Sequence, residues 1–226
     1  MNFKNLPHLR RAILLVLKQD GPTTMEKLAL KTKVTKEAVR QQLVTLHQEG
    51  WVHKDILREA RSGRPTVRYT LTSAGDHVFP KAYDALAAEL LETVGQRLGP
   101  EAVRQLLAGF TESRVQKWQP VLEGKSLPEK LKRLKDVYQE KDPFTSVTET
   151  PDGFRLVEGN CPFLNVASQQ PALCSVTVSM LTQLLGVKVV REERFQSGHG
   201  RCVFHIYKKQ RVKNSKFQME PESKIS

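Results

Sequence analysis

Cysteine, acidic residues and long apolar runs are all scarce in this chain, and each shortage excludes something. The 226 residues include 3 cysteines, an odd number with no Cys-x-x-Cys pair. A disulfide framework and a zinc ribbon are therefore poor expectations, and reduced thiols are the working one. Three free cysteines are, in the plainest reading, small buried hydrophobes. The longest aliphatic run, Ala12 to Leu17, is closed by Lys18 and is far too short to span a bilayer. With no small-residue cleavage site beyond it, the expectation is a soluble chain that stays in the cytoplasm, with no membrane partner. Acidic residues number 24 against 36 Lys and Arg, leaving a net charge of +12. That excess asks for an anionic partner, and a nucleic acid suits it best, since no long apolar face suggests a membrane surface. Charge alone does not separate DNA from RNA. The hydrophobic share of 39% is adequate for one sizeable core or two modest domains.

The N-terminal third reads as three helices and a hairpin. Pro7 suits a first helical turn, Leu9, Ile13, Val16 and Leu17 follow at helical spacing, and Gly21-Pro22 stops the run. Thr23 with Glu26 forms the pattern of a capping box for a short helix carrying Met25, Leu28 and Ala29 inward, ending near Lys33. Thr35 is the expected N-cap of a third helix. Val34 and Val39 are placed as a hydrophobic staple there, and Ala38, Leu43 and Leu46 continue the buried stripe to Gly50. Thr35, Lys36, Arg40, Gln41 and Thr45 then carry groups able to contact base edges or phosphates, although an exposed helix face is often simply solvated. Strand-like composition from Trp51 to Arg58, a turn holding Arg61, Gly63, Arg64 and Pro65, and the alternation Val67, Tyr69, Leu71 complete a basic-tipped hairpin. Together these describe a winged helix-turn-helix. Its third helix would enter the major groove of a double-stranded DNA operator, with Arg61 and Arg64 at the neighbouring backbone or minor groove. The order of elements, the turn Gly63-Arg64-Pro65 and the run Tyr69-Thr70-Leu71-Thr72 resemble bacterial winged-helix regulators of the ArsR and DeoR kind, over residues 7 to 75.

From Ser73 to about Asp142 the signals are helical. Tyr83, Leu86, Leu90 and Val94 form a stripe widened by Ala87 and Leu91; Gly99-Pro100 starts a second helix with Val103, Leu106, Leu107 and Phe110; Leu127 to Glu140 gives a third with Leu131, Leu134 and Val137. The plain reading of such stripes is intramolecular core. A helix directly behind a DNA-binding hairpin often pairs with its twin, however, so the first stripe predicts a homodimer presenting two reading helices to a two-fold operator.

The last third holds every cysteine. Phe144 to Thr150 and Gly153 to Glu158 read as strands turned by Pro151-Asp152-Gly153, Pro171 precedes a helix carrying Cys174, Val178, Leu181 and Leu185, and Gly186 stops it. Val187 to Arg194 and Arg201 to Tyr207 read as strands about a turn from Gln196 to Gly200. This is a small α+β domain. Twelve residues separate Cys161 from Cys174 and twenty-seven separate Cys174 from Cys202. A loop cysteine, one near a helix start and one at a hairpin could be gathered by the fold into a soft-ligand site suited to iron-sulfur or zinc.

The run Glu158-Gly159-Asn160-Cys161-Pro162, then Cys174 before an apolar helix ending Leu184-Leu185-Gly186-Val187, then Cys202 in a strand, resembles the SufR family of iron-sulfur-dependent repressors. The resemblance reaches to about Tyr207. It implies an iron-sulfur cluster, usually [4Fe-4S], held by residues matching Cys161, Cys174 and Cys202, and repression of cluster-assembly genes while the site is filled. Some members carry a fourth cysteine between the second and last, where this chain has Lys188. A cuboidal cluster on three thiolates leaves one iron for another ligand; His199 is the first expectation, with His205, a nearby carboxylate or an external thiol as alternatives.

The fold expected from all this is mainly α with small β elements. It comprises a winged helix-turn-helix over 1–75, a helical dimerisation region over 76–142, an α+β sensor over 143–207, and a basic disordered tail over 208–226. The function expected is a DNA-binding transcriptional regulator, not an enzyme, with no small-molecule substrate. A zinc- or other metal-sensing regulator using the same thiolates is the alternative. An enzyme with a nucleophilic cysteine is disfavoured because no cysteine lies in a recognisable catalytic motif.

Overall fold

In the computed structural model the described residues are 3–57, 66–140, 142–212 and 216–220. They form two compact units, Met1–Ala82 and Tyr83–Ser226. No helix among them is long and apolar enough to cross a membrane. Helices dominate, with small antiparallel sheets.

The first unit runs α1 (His8–Asp20), β1 (Thr23–Thr24), α2 (Met25–Thr32), α3 (Lys36–Gln48), β2 (Val52–Leu57), β3 (Thr66–Leu71) and a single turn, α4 (Ser73–Asp76). Its core gathers Ile13, Leu14 and Leu17 of α1, Leu28 of α2, Val39, Leu43 and Leu46 of α3, and Val52. These are the apolar positions at three- and four-residue spacing, so one face of each helix is removed from water. The three strands pair antiparallel in the order β1-β3-β2. One local expectation changes. The N-cap of α2 is Thr24, whose hydroxyl accepts from the Lys27 amide at 3.3 Å. Thr23 is instead buried in β1 opposite Tyr69, with its hydroxyl donating to the Gly21 carbonyl at 2.9 Å, which leaves the next threonine to cap.

The second unit opens with α5 (Tyr83–Leu98), α6 (Pro100–Leu122) and α7 (Leu127–Gln139). It continues through β4 (Ser146–Thr150), β5 (Gly153–Glu158), α8 (Leu164–Gln169), a 3-10 turn (Pro171–Cys174), α9 (Ser175–Leu185), β6 (Val187–Glu193) and β7 (Cys202–Arg211). The four strands form an antiparallel sheet in the order β4-β5-β7-β6. Its inner face carries Phe154 and Leu156 of β5, Val187 and Val189 of β6, and Cys202, Phe204 and Ile206 of β7. These pack against Met180, Leu181, Leu184 and Leu185 of α9 and against Leu122, Leu131 and Leu134 of α6 and α7. Helices α6 and α7 thus share one core with the sheet, where the helical signals suggest a separate segment over 76–142, while Leu91 of α5 packs on a smaller cluster around Leu107 and Val176. The C-terminal expectation also changes: β7 runs on to Arg211, and Phe217 is buried with Leu107 and Val176. A buried aromatic and a paired strand hold these residues where the basic composition suggests disorder.

Candidate metal centre

The period-two alternation of the sheet ends in polar residues on its apolar face. Along β5 the inward series is Phe154, Leu156, Glu158; along β6 it is Val187, Val189, Arg191; along β7 it is Ile206, Phe204, Cys202. Glu158 stands directly opposite Cys202 in the β5–β7 register. The 3-10 turn brings Cys174 to the start of α9, and the loop after β5 supplies Cys161. Glu158, Cys161, Cys174, Arg191, Gln196 and Cys202 line one pocket, walled by Phe163, Leu173 and Phe195.

Local structure fixes the cysteine loop. The buried Asp142 carboxylate accepts from the amides of Gly159 at 2.8 Å and Asn160 at 3.0 Å, and also from the Phe144 amide and the Thr145 hydroxyl. A Cβ on Gly159 would lie 2.5 Å from Cβ of Phe144, so only glycine lets the chain pass here.

Each sulfur is met by an N–H donor. The Phe163 amide donates to Cys161, and the Phe195 amide to Cys202. Gln196 Nε2 donates to Cys174 Sγ at 3.2 Å, and Arg191 Nη1 to Cys202 Sγ at 3.3 Å. The Arg191 side chain is 3% exposed. It also donates to the Cys174 carbonyl at 2.6 Å, pairs with Glu220 at 3.2 Å and lies over the Phe204 ring. Burial opposes its charge, but Glu220, Cys202, Cys174 and Glu158 hold its pKa above the ordinary value.

Burial, reinforced by Cys202, Glu158 and Cys174, pushes the Cys161 thiol up to about 11. Cys202 is raised as well, chiefly by burial, with the Phe195 amide and Arg191 acting against it. Burial likewise lifts the Glu158 carboxyl to about 7, with Arg191 and Arg114 opposing and Asp142 adding to the rise. Burial therefore keeps the Cys161 and Cys202 thiols protonated near neutrality and Glu158 about half so, and binding a cation there must release protons.

Three soft donors already met by N–H groups are a donor set that fits an iron-sulfur cluster, whose sulfurs take such hydrogen bonds. Among the described residues no three His, Cys, Asp or Glu side chains stand close enough to hold a single metal ion. The two histidines expected as further ligands lie elsewhere. His199 is exposed in the turn, its Nδ1 3.3 Å from the Arg194 carbonyl oxygen, and does not line the pocket. His205 projects from the other face of β7, with Nε2 3.1 Å from Asp152. Lys188 also faces outward, over the Tyr207 ring.

In the first unit, the Thr35 hydroxyl caps α3 by accepting from the Ala38 amide at 3.2 Å. Lys36, Arg40 and Gln41 are exposed and Thr45 is half-exposed. Arg40 pairs with Glu37 at 2.6 Å, Lys36 approaches Glu26 at 3.6 Å, and Thr45 donates to the Gln41 carbonyl. Arg61 and Arg64 lie outside the described residues. Asp142, Arg191, Gln196 and Glu158 were not singled out as site residues by sequence reasoning. The usable signal was polar residues continuing an inward β series.

No protein-family model matches the chain, and no curated protein does. Two solved structures are similar to it in part. The crystal structure of RV1404 from Mycobacterium tuberculosis is 21% identical, with 49% of this chain and 74% of that one covered at a TM-score of 0.30. NMB1585, a MarR family regulator from Neisseria meningitidis, is 21% identical, with 54% and 83% covered at a TM-score of 0.29. Likenesses at this level carry no argument about what the chain does.

Proposed function

We propose that the protein is a homodimeric, DNA-binding transcriptional regulator, a repressor of iron-sulfur assembly genes, whose DNA affinity is set by an iron-sulfur cluster, [4Fe-4S], on Cys161, Cys174 and Cys202. The observation that carries this reading is that all three cysteines line one pocket with an N–H donor at each sulfur. Three thiols used only as small hydrophobes have no need to line one pocket together with an arginine that is itself buried. When bound, a cluster would supply a group whose oxidation or loss is the signal. The chain's part is to hold the sulfurs as thiolates, with Arg191 offsetting their charge. A single zinc ion would require the sulfurs to draw within about 3.8 Å of one another, given Zn–S bonds of about 2.3 Å in a tetrahedron. Thiolates that each bind a different iron require a wider triangle.

The first unit supports the reader half of the proposal. Helices α2 and α3 joined by a short turn, followed by the β2–β3 hairpin on a three-stranded sheet, have the order of a winged helix-turn-helix. Helix α3 buries Val39, Leu43 and Leu46 and leaves Lys36, Arg40 and Gln41 outside for the major groove of an operator. In the second unit, Tyr83, Leu86 and Leu90 of α5 are 62%, 55% and 57% exposed, an apolar stripe suited to a second copy of the chain.

The test is anaerobic purification with iron, sulfide and zinc quantified, then DNA binding with the site filled and emptied. Iron and sulfide in near-equal amounts, broad visible absorption and tighter DNA binding by the filled form are expected. Stoichiometric zinc in colourless protein, or equal DNA affinity in both forms, overturns the reading.

A further inference from the structure

We propose that the Glu158 carboxylate is the fourth ligand of the three-cysteine site, bonding the iron that the thiolates leave open. The inference rests on the cluster reading above. Glu158 is the only carboxylate among the described residues lining the pocket. It lies three residues before Cys161 in the chain and directly opposite Cys202 across the β5–β7 pair. Directly opposed residues on one sheet face have Cβ atoms about 4.5–5.5 Å apart, so its carboxyl and the Cys202 sulfur share one neighbourhood.

The position is an odd one for a merely structural glutamate. The inward series of β5 is apolar until it reaches Glu158. A carboxylate on such a face is expensive unless something takes up its charge. Arg191 and Arg114 are the cations that act on it, yet all three guanidinium nitrogens of Arg191 turn elsewhere: Nη1 to Cys202 Sγ, Nη2 to the Cys174 carbonyl, and Nε to Glu220 at 3.3 Å. Arg191 balances the sulfurs and the C-terminal segment, and Glu158 is left facing the space that the cysteines surround. The other oxygen and nitrogen donors of the pocket, the Thr177 hydroxyl and the Gln196 amide, are neutral groups, whereas iron left by thiolates calls for an anionic or imidazole donor. Both candidate imidazoles lie outside the pocket. On binding, a carboxylate oxygen–iron bond forms, any carboxyl proton passes to solvent, and no electron is transferred.

The test uses the full-length protein reconstituted anaerobically with iron and sulfide. Mössbauer spectra of wild type should show one iron distinct from the three thiolate-bound ones, and the reduced cluster in ¹⁷O-enriched water should show no coupling to solvent oxygen. In Glu158→Gln the distinct iron should open. Added β-mercaptoethanol should then shift the visible spectrum, as it does not in wild type, and mild oxidation should release iron more readily. Glu158→Cys should restore a closed site with all irons thiolate-bound. Coupling to ¹⁷O water in wild type overturns the assignment without recourse to any variant, and so does a Glu158→Gln spectrum identical to wild type. A wild-type protein that assembles no cluster removes the cluster reading itself, a result separate from either of those.

Discussion

The two units place their candidate functional groups by opposite means. On α3 the exposed groups are held by near neighbours in sequence: Arg40 by Glu37, Thr45 by the Gln41 carbonyl, Thr35 by the Ala38 amide. In the second unit Glu158, Cys161, Cys174, Arg191 and Cys202 come from one helical turn, a loop and three strands, and Arg191 ties Cys174, Cys202 and Glu220 together. Groups fixed locally on a wet surface can be altered one at a time with little cost to folding. Groups fixed by long-range packing in a dry site share one fate, because each is a condition for the others.

That contrast can be broken by experiment, beginning with the largest effect. Replacing any one of Cys161, Cys174 or Cys202 by Ser should abolish the visible absorption of the reconstituted protein while leaving the first unit folded by NMR or proteolysis. An intact spectrum in a single variant would remove that cysteine from the set. Next, Glu220→Ala should lower the stability of the second unit by about 3 kcal/mol in chemical denaturation, because Arg191 then keeps its buried charge without its carboxylate. An unchanged denaturation midpoint would show the C-terminal contact to be incidental.

A third effect is comparable at most and depends on pH. The folded-state pKa of Glu158 is raised from 4.5 to about 7, so the folded protein binds a proton that the unfolded chain has released. Its contribution in metal-free protein is fully present below about pH 4.5 and is lost as pH rises through about 7, with a ceiling of about 3 kcal/mol. Denaturant titrations from pH 4 to 8 should show this decline, and Glu158→Gln should flatten it. The smallest stability effect belongs to Arg40→Ala, which should leave the melting temperature of the first unit unchanged while weakening binding to the preferred operator by roughly tenfold or more. A large loss of stability there would mean that the exposed face of α3 is structural after all.

How much of this was legible varies with the range of the interactions involved. The helices of the first unit follow from Ile13, Leu17, Leu28, Val39, Leu43 and Leu46 at helical spacing, and Thr35 was readable as a cap because capping acts over three residues. Choosing Thr24 over Thr23 was not readable, since it depends on Tyr69, a strand partner far along the chain. In the second unit Gly186 was readable as a helix stop and takes up the left-handed conformation with φ 69°. Closeness in sequence to Cys202 makes His199 the first expectation for a further ligand, but the turn carries its ring out to solvent. Glu158 stood in plain view within Glu158-Gly159-Asn160-Cys161-Pro162, yet only the β5–β7 register sets it opposite Cys202. The C-terminal contacts were hidden for the same reason: a basic stretch reads as solvated until Phe217 is found in a core and Glu220 on Arg191.

By itself the sequence determined the helical stripes, the caps, the strand alternation and a cationic balance suited to a polyanion, all consequences of residue type and short spacing. The tertiary structure alone decided that three distant cysteines face one pocket, that an arginine and a glutamate complete its rim, and that the C-terminal segment closes over the second unit. Those outcomes depend on which strand pairs with which and in what register, and no local spacing encodes that choice.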